Sequence, residues 1–116
     1  MFYTLTQVAL GGAIGSVLRF LAVTSLGAPF GTGFVNIVGS FLMGVLYVTL
    51  AKTTLSPLLM TGVLGGFTTF SAFSLDTLKL WQSGQIPQAA LYTAASVTLS
   101  LIAVALGAAI AKGYLT

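Results

Sequence analysis

Four long apolar stretches follow one another along the chain, at about 2–26, 31–51, 58–81 and 88–112, and short polar clusters separate them. Each stretch reaches the roughly 20 residues that a helix needs to cross the hydrocarbon core of a bilayer. The clusters Gly27-Ala28-Pro29, Lys52 through Pro57 and Gln82 through Pro87 supply the turn chemistry between them. Pro57 suits the first turn of the third helix, and Trp81 suits an interfacial anchor at its end. The pattern predicts an all-α integral membrane fold of four transmembrane helices, forming one domain over residues 1–116 with nothing left for a soluble domain.

The polar positions inside the apolar runs are few and ordered. In the first helix Gly11 with Gly15, and Gly12 with Ser16, form small-residue rows that let a neighbouring helix come close. Arg19 in the same helix either snorkels to the interface or lines an anion vestibule. In the second, Asn36, Ser40 and Gly44 recur every four residues and share a face. An amide there either bonds another helix or offers its NH₂ to an anion. The fourth helix carries Tyr92, Ser96 and Ser100 at four-residue steps. Serines in helices commonly bond back to their own carbonyls, so the row is either internally satisfied or the lining of a path.

The third run departs most from plain apolar helix. After Gly65-Gly66 it interleaves Thr68, Thr69, Ser71 and Ser74 with Phe67, Phe70 and Phe73. Hydroxyls at membrane depth are costly unless they find partners or line a cavity. The stretch predicts a mid-membrane break in the third helix, facing a binding or permeation site.

Composition narrows the possibilities. The 116 residues are 57% hydrophobic and 4% charged, with four basic residues, one acid, no histidine and no cysteine. This excludes a soluble surface, the clustered basic stripe of a nucleic-acid binder, and thiolate or imidazole metal chemistry. The N-terminus lacks the charged region and cleavage site of a signal peptide, so the first helix reads as part of the mature protein. With four spans, Lys52 and Lys112 fall on one side and Lys79 and Arg19 on the other. That even balance gives no preferred orientation and points to a dual-topology, antiparallel homodimer, since one small bundle has little room for a pore of its own.

The transported species follows from the donors. Asp76 is the lone acid, so neither an acidic ring nor an array of titratable groups is available for cations or proton coupling. What remains are uncharged donors and the positive ring edges of Phe70 and Phe73, although a phenylalanine pair is also ordinary core. Weak, distributed donors suit a small hydrated anion that must enter and leave.

The segments GGAIGSVLRF, GTGFVNIVGSFLMG and above all GGFTTFSAFS resemble the Fluc/CrcB family of microbial fluoride channels, over almost the whole chain. The resemblance implies an antiparallel homodimer in the cell membrane, with two pores that carry fluoride passively and lower its cytoplasmic level. It implies pore roles for Phe70, Phe73, Asn36, Tyr92, Ser96 and Ser100, with Thr32 and Thr69 as additions and Arg19 near the vestibule. It also implies a central structural sodium ion, held by the backbone carbonyls of Gly65 and Thr68 from both subunits. Two positions depart from the family pattern: Phe67, where leucine is frequent, and Ala72, where threonine is frequent. Phe67 adds bulk beside the sodium position and Ala72 removes one hydroxyl.

Two other readings remain. A small multidrug-type exporter also has four short helices, but works through a first-helix glutamate that this sequence lacks. A non-transporting scaffold subunit would have no need for a polar track or a broken helix. No base stands beside any hydroxyl in a pattern that would support catalysis, so the chain does not read as an enzyme.

Overall fold

Apolar runs of this length wind into helices because only a helix, or a closed barrel, satisfies every backbone group without water. The computed structural model describes residues 1–115, and every regular element among them is helical. Helix α1 runs Phe2–Leu26 and α2 runs Phe30–Thr49. The third span, Pro57–Gln82, is composite. It opens as a π-helix, Pro57–Leu64, with the proline in its first turn, and continues as a short turn, Gly65–Phe67. Thr68 (φ −88°, ψ 156°) and Thr69 (φ −154°, ψ 123°) are extended, and α3 then runs Phe70–Gln82. Helix α4 runs Ile86–Leu115. Four spans are long and apolar enough to cross a membrane.

Two boundaries differ from the sequence expectation. The second helix stops at Thr49, because Leu50 leaves the helical region (φ −128°, ψ 0°). The fourth begins at Ile86 rather than after Pro87. Pro87 sits in its first turn, where a missing N–H costs no intrahelical bond.

Packing divides the helices into two pairs. Helix α1 lies along the π-helix, and α2 lies along α4. The first contact is backbone to backbone: a Cβ added at Gly11 would stand 2.8 Å from the Gly62 Cα, and one at Gly62 would stand 2.8 Å from the Gly11 Cα. Only glycine permits that approach. The π-helix and the turn after it contact mainly α1, whereas α3 contacts mainly α4. The third span therefore changes partners at Thr68–Thr69, and its backbone straightens there.

Candidate functional site

A straightened backbone inside an apolar bundle must find partners for the groups it no longer pairs. Asn36 on α2 provides two of them. Its Nδ2 donates to the Thr69 carbonyl at 2.9 Å, and its Oδ1 accepts from the Thr69 N–H at 2.7 Å. The amide thus bonds the backbone on both edges and still keeps one N–H in reserve. Thr69 caps α3, its Oγ1 accepting from the Ala72 N–H at 3.1 Å. These bonds divert two donors from their helical acceptors. In a continuous helix the Thr69 N–H would bond the Gly65 carbonyl, and the Ala72 N–H would bond the Thr68 carbonyl.

Beside the extended Thr68–Thr69 segment lies a cleft of about 390 Å³ between α2, α3 and α4. Asn36 and Ser40 face it from α2, Thr69, Phe70 and Phe73 from the third span, and Ser96 and Ser100 from α4. A Cβ at Gly39, also on this cleft, would collide with the Thr68 methyl, so that glycine admits the extended segment against α2. The rings of Phe70 and Phe73 meet edge to face, 5.6 Å apart at 65°. Phe73 is 8% exposed and Phe70 is 77% exposed, so one ring is built into the chain and the other stands uncovered.

The hydroxyls fall into two groups. Ser74, Thr77 and Thr93 each bond the carbonyl four residues back, as do Thr6, Thr24 and Thr49. The hydroxyls of Ser40, Ser96 and Ser100 make no hydrogen bond among the described residues. The α2 and α4 walls of the cleft therefore carry hydroxyls that the protein has not already used, whereas Thr68 and Thr69 spend theirs on nearby backbone groups.

Tyr92 and Thr32 stand outside this lining. The Tyr92 ring packs on Phe73 at 5.3 Å and 49°, and its hydroxyl donates to the Asp76 carboxylate at 3.3 Å. Thr32, 1% exposed, meets the same phenol. Arg19 is also apart, facing a separate cavity of about 430 Å³ with Ser16, Phe20 and Ala72. Asp76 was not among the site residues expected from the sequence, yet it is 7% exposed and holds the Tyr92 phenol. The signal for it was spacing, because Phe70, Phe73 and Asp76 follow at three-residue steps on one helical face.

The fold and the cleft define a chain of four membrane-crossing helices with an uncharged groove, carrying free hydroxyls, between α2, α3 and α4. The chain matches, over residues 6–108, the family model described as "CrcB-like protein, Camphor Resistance (CrcB)". It is 50% identical to a fluoride-specific ion channel FluC of Cereibacter sphaeroides, covering 99% of each chain. It is 51% identical to that of Ruegeria sp. (strain TM1040) over the full length of both. It is 49% identical to that of Paracoccus denitrificans, covering 97% of this chain and 98% of the relative. The chain belongs to the CrcB family and is a multi-pass membrane protein.

Proposed function

We propose that the protein is a passive fluoride channel and that the cleft beside Asn36 is half of its pore wall. The observation that carries this reading is the cleft lining: unused hydroxyls on Ser96 and Ser100, a spare amide N–H on Asn36 and the Phe70–Phe73 ring pair, with no full charge. A small anion shedding part of its hydration shell needs such donors, and their weakness lets it leave again. Relatives about half identical along their whole length are named fluoride-specific ion channels.

The pore-forming unit is an antiparallel homodimer with two pores, and the break at Thr68–Thr69 lies at mid-membrane. Three features support this assembly. The cleft is open on one side, and the half-buried hydroxyls of Ser40 and Ser100 would meet lipid tails at a cost unless a second chain covered them. Phe70 stands uncovered at its edge. Lys52 and Lys112 fall on one side of the membrane and Lys79 on the other, so flanking charge gives little bias to orientation.

A sodium ion at the dimer centre fits the groups present. The Gly65 and Thr68 carbonyls have lost their helical donors to Asn36 and Thr69, and carbonyl oxygens suit a hard cation. Bound there, the ion supplies a fixed charge that ties the two breaks together. The chain's own residues do the remaining work: Asn36 holds the break open, and Ser96 and Ser100 donate hydrogen bonds to the passing ion.

The test is ion efflux from proteoliposomes loaded with fluoride or chloride, with valinomycin clamping the potential. Rapid fluoride release with negligible chloride release is the expected result. Absence of fluoride release from well-folded dimer would overturn the reading.

A further inference from the structure

Arg19 is the one arginine of the chain, and its neighbours do not suit a guanidinium that serves mainly as an anion attractor. It faces away from the donor-lined cleft, into the cavity bounded by Ser16, Phe20 and Ala72. Its Nε, the inner nitrogen, donates to the Gly66 carbonyl at 2.9 Å. In a continuous helix that carbonyl would accept from the Phe70 N–H, but the helical turn ends at Phe67 and Phe70 begins the next helix. Arg19 therefore does for Gly66 what Asn36 does for Thr69. One clamp comes from α1 and the other from α2, and between them lies the segment where the third span changes partners.

We infer that Arg19 is a positioning residue for the pore, acting through its Nε–H on the Gly66 carbonyl rather than through its charge on the ion. With that carbonyl held, Thr68 and Thr69 keep the extended course that presents Thr69 and Phe70 to the cleft. Without it, a part-buried carbonyl has no partner, and the turn relaxes toward whatever donor it can find. Arginine also suits this place because its outer nitrogens remain free to reach polar groups or the interface while Nε stays engaged.

Side-chain chemistry separates the two roles. Glutamine carries an N–H donor at the same bond along the side chain as arginine Nε, and has no charge. Lysine keeps the charge but has a methylene at that place. The experiment compares Arg19→Gln with Arg19→Lys in two readouts: fluoride efflux, and backbone hydrogen exchange through Gly65–Ala72. The efflux arm rests on the channel reading; the exchange arm does not.

Arg19→Gln is expected to conduct at least about tenfold better than Arg19→Lys, the scale of one hydrogen bond to a buried carbonyl. Exchange through Gly65–Ala72 is expected to rise in Arg19→Lys and to stay near the parent in Arg19→Gln. The reverse order of efflux would overturn the inference in favour of a charge effect. If both variants lose efflux, or neither does, unchanged exchange in Arg19→Lys would overturn it, and raised exchange there alone would sustain it. A parent protein that passes no fluoride would count against the channel reading, while the exchange comparison would still judge the clamp.

Discussion

Asn36 and Thr69 exchange two hydrogen bonds, at 2.9 and 2.7 Å, so that one side-chain amide stands in for the helical partners of a whole peptide residue. An ionised aspartate cannot make this exchange, because its carboxylate only accepts and would oppose the Thr69 carbonyl. Asn36→Asp is expected to lower fluoride flux, and Asn36→Ala to cost about 2–3 kcal/mol by leaving both Thr69 groups without partners. Efflux assays and thermal unfolding in detergent measure the two effects. Normal flux in Asn36→Asp would leave Asn36 with a packing role only.

The unequal burial of the two rings separates conduction from stability. Phe70→Ile is expected to reduce fluoride flux about three- to tenfold, the worth of a polarised ring edge, while unfolding shifts by less than about 0.5 kcal/mol because the ring is exposed. Phe73→Ile should reduce flux as well and also destabilise, by about 1–2 kcal/mol, through its packing on Tyr92. Unchanged flux in Phe70→Ile would remove the ring from the conduction path.

Hydroxyls that the protein leaves unused should matter more than those it uses. Ser96→Ala and Ser100→Ala are each expected to lower flux by about tenfold, the scale of a hydrogen bond to an ion. Ser74→Ala serves as the control, because its hydroxyl already bonds the Phe70 carbonyl. Equal loss in all three would assign the effect to packing.

The small difference in flanking lysines between the two sides gives a topological prediction. Lys52→Gln and Lys79→Gln remove a charge from opposite sides and should bias insertion in opposite directions. Each alone is expected to conduct poorly, and co-expression of the two should restore flux toward the parent level. Full activity from either variant alone would argue against antiparallel pairing.

The four spans were legible because a bilayer allows so few solutions: a long apolar run has little choice but to be helical. The hydroxyl–phenylalanine run holds the residues where the third span straightens, Thr68 and Thr69, whereas the glycine pair expected to mark the change stays helical. What the sequence hid were the partners of Asn36 and Arg19, since both bond backbone carbonyls, and every residue carries one. The placement of Tyr92 shows a different limit. Steps of four residues drift by about 40° each on a helix with 3.6 residues per turn, so Tyr92 turns off the face that Ser96 and Ser100 present and meets Phe73 and Asp76 instead. Nothing in PLLMTGVL announces π winding. Asp76, the lone acid, reads as isolated in one dimension and becomes the anchor of a phenol in three.

The free hydroxyls of α4 have a kinetic consequence. Each turns about a single C–O bond, changing between donor and acceptor without moving the helix that carries it, and side-chain reorientation of this kind takes picoseconds to nanoseconds. On the channel reading, Ser96 and Ser100 would therefore follow an ion as a liquid does, while the rail that bears them stays still. The lining behaves as a strip of solvent bolted to a solid, and the temperature dependence of transport should resemble that of ions in water rather than that of a gate.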